Sequence, residues 1–233
     1  LEGTNTIAEV GKGIYVLASS TGEATLTITS ESSGSLDASA SQTGIWVQSN
    51  SGNAALTIQN AKVEATGTSA AGYGVNVQSS QSSTASLTVD GGSLTASGAP
   101  GILYDSIGSG TVPNTTALTI SNSAIVDARG GGIGAGYIGN LSGVSPTDDS
   151  VGIVFGHDRS DSKAGAVYGD VTLQDNLEIS EGESLTIPSE ASLTTNGKLT
   201  VDGGTLTGDV TGDVIYKVTG VSLDPNTLTF NVG

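Results

Sequence analysis

Three groups of side chains in this chain are of types and spacings that could do chemistry. The first is Asp148, Asp149, His157, Asp158 and Arg159, packed into twelve residues. Two or three carboxylates at fixed separation can hydrolyse a glycosidic bond. An acidic cluster with calcium and a basic residue can abstract a proton from a polysaccharide. The same five residues also make an ordinary polar loop, and that is the reading their irregular surroundings favour. The second group is Asp37 and Glu64, with Asp127 beyond them, each between two apolar residues in a short strand-like phrase. They could offer oxygen ligands to calcium, or form a solvated acidic edge. The third group is Tyr15, Trp46 and Asn76, which occupy the same place in successive copies of another phrase. Flat exposed aromatics offer area and a π-face to a sugar ring. They can equally form a rung that only steadies the strands around it.

What would position these residues is a repeat. A Gly-led apolar phrase occurs at Gly13–Val16, Gly44–Val47, Gly74–Val77 and Gly101–Tyr104. A Leu-Thr-Ile/Val phrase begins at Leu26, Leu56, Leu87 and Leu118, at spacings of 30, 31 and 31 residues. A third phrase carries Leu36/Ala38, Val63/Ala65, Leu94/Ala96 and Val126/Ala128, the last needing one extra turn residue. Strand side chains point alternately to opposite faces. The Ile, Leu, Val and Ala of each phrase therefore face inward, and Tyr15, Trp46, Asn76, the central Thr residues and the carboxylates face outward.

Three short strands per period leave no room for helices. A period near 30 residues belongs to repeat architectures. The fold expected is all-β: a right-handed parallel β-helix of three strands per coil, with about 22–31 residues per coil. Gly130–Gly136 opens a fifth coil, and residues 139–166 read as a loop excursion around Val151–Phe155. From Val171 the period shortens, with Val171, Leu193 and Val214 taken as equivalent positions 22 and 21 residues apart. The Asp-Gly-Gly sequences at Asp90 and Asp202 read as turn formers. The β-helix is expected over residues 1–217. Residues 218–233 change character and form a separate segment.

Composition excludes several classes. A formal net charge of −16 with seven Lys plus Arg disfavours nucleic acid and anionic membranes. No apolar stretch is long enough to insert in a bilayer. Without Cys there are no disulfides and no thiolate metal sites. The absence of Cys and Met also suits an oxidant-exposed extracellular protein. Leu1 does not look like a natural start, so the chain reads as a piece of a longer one.

Some of these phrases resemble known families. Leu1–Ile7, the Gly-Ile strand and the Ala-Thr-Leu-Thr-Ile phrase are similar to surface β-helix proteins of Firmicutes. Gly130–Gly136 and residues 185–208 add to that likeness. It implies a pectate-lyase-like fold at the bacterial cell surface, with carbohydrate binding in some relatives and calcium in others. Residues 218–233 resemble the opening strands of a bacterial Ig-like domain of the second group, here truncated. The Asp148-Asp149 and Gly156-His157-Asp158 sequences only partly resemble the carboxylate and histidine elements of polygalacturonases. Here they lie within one loop rather than a coil apart, and the second Gly is missing.

The function expected is a non-catalytic extracellular module, adhesin-like or carbohydrate-binding. The alternatives are a polysaccharide lyase or hydrolase of the same fold, and a pure spacer. No cofactor is required, with calcium the one ion the carboxylates could take. The partners expected are glycans or a host surface, and the chain should be monomeric.

Overall fold

The computed structural model describes residues 1–31, 34–80, 83–107, 118–130, 138–139, 149–157, 163–224 and 227–232. Among these there is no helix. Parallel strands stack as a β-solenoid whose larger part has about four turns. Leu26 pairs with Leu56, Leu56 with Leu87 and Leu87 with Leu118, and the Thr residues beside them pair in the same register. Ile14, Ile45, Val75 and Ile102 form a second column in register, and Leu36, Val63, Leu94 and Val126 a third. The three columns close on one apolar core.

The Gly that leads the first phrase has a steric cause. The chain turns there from the third face onto the first. A Cβ on Gly44 would lie 2.5 Å from Ala38 O and 2.6 Å from Thr66 N. Real Cβ atoms do not come so close, so only Gly lets neighbouring coils approach at this corner. The corner between the second and third faces uses left-handed backbone instead, at Asn60 (φ 51°), Gly91 and Gly92 (φ 70° and 72°) and Asn122 (φ 53°). Asn and Gly are the residues that adopt it most cheaply.

The expectation of one unbroken parallel stack needs correction. The strand Gly152–Phe155 adds in parallel to Ala124–Gly130, but the next rung, Ala164–Tyr168, runs antiparallel to it. Further parallel strands then stack on that reversed rung and on two companion sheets. Residues 164–216 thereby build a second, smaller solenoid with its own core.

One strand serves both cores by alternation. Val154 points into the first, and Ile153 and Phe155 into the second. Gly165 is the rung opposite Phe155, and a Cβ there would meet the Phe155 ring at 2.4 Å. The second core therefore lies against the outer side of the first solenoid's third face.

The shorter period also differs in detail from expectation. Leu193 pairs with Val171 and Val210, and Val214 belongs to another column, above Leu199. Strands of two to four residues make several spacings look alike, which is how Val214 came to match. Val218–Asp224 and Thr227–Val232 pair antiparallel in a two-stranded sheet of their own.

Candidate functional site

Tyr15 and Trp46 are Cα partners on the first face, each between two inward residues. Their ring centroids are 5.4 Å apart with planes tilted by 45°. Tyr15 is 43% exposed and Trp46 partly so. The Tyr15 hydroxyl donates to Gln48 Oε1, and Gln48 Nε2 donates to Asn50 Oδ1 at 2.9 Å. Asn76 is the next partner in this column, but it is buried, and its Oδ1 has no hydrogen-bond partner. The exposed platform thus ends at Trp46: Asn76 holds the third place in the outward column, as expected, but it is covered. Trp46 Nε1 is likewise buried without a partner.

Lys12 shapes this patch, and sequence reasoning missed it. Its Nζ lies 4.4 Å from the Tyr15 ring centroid and 3.7 Å from that of Trp46. A cation at such distances is held by the ring quadrupoles. The available signal was a lone Lys three positions before an outward Tyr.

Lys12 also stands at the end of an irregularity in its strand. The pairing of Thr4–Ala18 with Ser35–Ser49 shifts register between Ile7 and Val10 and again between Val10 and Lys12. Glu9 there has φ 59°. The irregularity opens a cleft of about 550 Å³ lined by Ala8, Glu9, Gly11, Ser39, Ala40 and Thr68, among others. Its volume is within the usual range for small-ligand sites. Gly11, one of its lining residues, immediately precedes Lys12 in the chain, while neither Tyr15 nor Trp46 lines the cleft.

The carboxylates fall elsewhere. Asp37 and Glu64 are register partners on the outer side of the third face, followed by Thr95 and Asp127. Ser39 Oγ donates to Asp37 Oδ1 at 2.6 Å. Among the described residues, no three His, Asp or Glu side chains gather as a metal site would need. Asp127 instead pairs with Arg129, which also reaches Glu183 in the second solenoid. In the loop group, Asp149 is exposed in a turn and His157 Nδ1 is buried without a partner. Asp148, Asp158 and Arg159 lie outside the described residues, as do residues 131–136 of the Gly-rich run.

Asp90 is a carboxylate whose role the structure defines as structural. It accepts from Ser121 Oγ and Asn122 Nδ2, both at 2.6 Å, and from Gln59 Nε2 at 3.1 Å. These bonds, Ser121's foremost, hold its carboxyl below the usual carboxylate range against a smaller opposing effect of burial. A depressed folded pKa contributes stability that is complete above the unfolded value, near 3.8, and lost as pH falls through the folded one. Between about pH 4 and pH 2 the wild type should lose more stability than Asp90→Asn. Urea midpoints at pH 2, 4 and 7 measure this, and parallel losses in the two proteins would contradict it.

No protein-family model, curated protein or solved structure matches this chain.

Proposed function

We propose that this chain is a non-catalytic extracellular module of a bacterial cell surface that holds a glycan at the Tyr15–Trp46 pair. The observation that carries the reading is the pair of outward aromatic rings held in register on the first face, with Tyr15 largely exposed. A sugar ring laid on the aromatics would meet Gln48 and Asn50 at its edge. Stacking supplies apolar contact, and the side-chain amides supply hydrogen bonds to hydroxyls. The strands beneath are locked in register, so little order has to be gained on binding.

Trp46 is the chain's only Trp and reports on the site directly. Titration with plant and host glycans should change its fluorescence saturably. Trp46→Ala should weaken calorimetrically measured binding by at least about tenfold, the loss expected of a central aromatic anchor. Saturable binding that survives Trp46→Ala would place the glycan elsewhere. Silence across the panel would leave the solenoid a spacer, and new reducing ends or unsaturated products would make it an enzyme.

A further inference from the structure

The ammonium lying on the aromatic pair points to the kind of sugar that fits there. In a chain of net charge −16, Lys12 forms no ion pair with any described carboxylate. Lys62, Arg129 and Lys217 each do, at 2.7–3.0 Å, whereas Lys163 and Lys198 share with Lys12 the lack of one among the described residues. Lys12 rests instead on the faces of Tyr15 and Trp46, the same faces a sugar would use.

A sugar can stack on Trp46 only if Lys12 turns aside. The displaced ammonium then stands beside the bound ring. A neutral sugar gives it hydroxyls alone in exchange for the aromatic contact. A uronic acid gives it a carboxylate, and a charge-assisted hydrogen bond is the stronger replacement. Resting on the rings, Lys12 therefore discriminates against neutral sugars. From this, and on the reading that the pair binds glycans, we propose that the site selects an acidic sugar whose carboxylate takes Lys12.

The selection should be for a single acid within an otherwise neutral chain. Glu9, three positions before Lys12 in the chain, lines the cleft at the strand's irregularity. A second carboxylate on a sugar extending from Lys12 toward Glu9 would meet this like charge instead of a cation. Branched or alternating acidic glycans fit this pattern, and uninterrupted polyuronates do not.

The test compares xylotriose bearing one glucuronic acid with its carboxyl-reduced form, and a galacturonate–rhamnose disaccharide with its reduced form. Each is titrated calorimetrically into the full chain. The acidic member should bind about fivefold more tightly at low salt, as expected for one exposed ion pair of good geometry. The preference should fall toward unity in Lys12→Gln and in 0.5 M NaCl, and survive in Lys12→Arg. Equal affinity of acidic and reduced forms, or a preference untouched by Lys12→Gln, overturns the selectivity and leaves the glycan site standing. Failure of all four sugars to bind overturns both.

Discussion

Gly74→Ala will lower the unfolding midpoint by roughly 6–12 °C, although it adds only one methyl group. A Cβ at this position would lie 2.6 Å from Ser97 N, 2.7 Å from Ala65 O and 2.7 Å from Gly101 O. All three are backbone atoms: Ala65 on the strand leading into this corner, Ser97 and Gly101 on the next coil. No side chain can swing away to make room. Relief requires separating coils whose hydrogen bonds set their spacing, so the cost falls at or above the top of the usual overpacking range, about 3 kcal/mol. For a chain of this size each kcal/mol shifts the midpoint by about 2–4 °C. Gly22→Ala is the control, because the nearest atom to its new Cβ would be Ser20 Oγ at 3.9 Å. Thermal melts followed by circular dichroism measure both, and equal midpoints for the two variants would refute the argument.

Arg129→Ala should uncouple the two cores. Arg129 Nε and Nη2 donate to the two carboxylate oxygens of Asp127 at 3.0 and 2.8 Å, and Nη1 donates to Glu183 Oε2 at 2.7 Å. Its guanidinium lies 3.6 Å from the Phe155 ring centroid. Glu183 Oε2 also accepts the Ser180 N–H at 2.8 Å, so the Arg is tied to a turn of the second solenoid. Removing it leaves two mostly covered carboxylates without a cation. Breaking a fully buried pair costs about 3–5 kcal/mol. These side chains are 12–21% exposed, so about 2–3 kcal/mol is the discounted expectation. Because the lost contact joins two cores, the transition should broaden or split in urea rather than merely shift. Arg129→Met, which can still cover Phe155, should recover part of the midpoint. A single sharp transition in Arg129→Ala, unmoved from wild type, would show that the shared strand alone couples the halves.

The sequence made the first solenoid legible because Leu26, Leu56, Leu87 and Leu118 recur at nearly constant spacing, and inward faces follow from alternation. The same rule placed Tyr15 beside Trp46. At Asn76 it gave the position but not the burial, because alternation says which way a side chain points and not what covers it. It also missed the reversal at Ala164–Tyr168. Apolar alternation is identical in parallel and antiparallel rungs, and Gly152–Phe155 is apolar on both sides because it serves two cores. The contact of Arg129 with Glu183 spans 54 residues and rests on that reversal, so nothing local announced it. Lys12 was hidden for a different reason: a flexible side chain chooses its partner only when the rings are in place.

The reversed rung also bears on self-association. A ladder of like coils is a template at its rim, since each strand offers open amides and carbonyls to any chain of similar repeat. Hydrogen bonds in parallel pairs are evenly spaced and slanted, whereas those in antiparallel pairs alternate between narrow and wide. On the third face that rim is occupied: Gly152–Phe155 covers Ala124–Gly130 and is itself covered by the reversed rung, so their amides and carbonyls are not open to another chain.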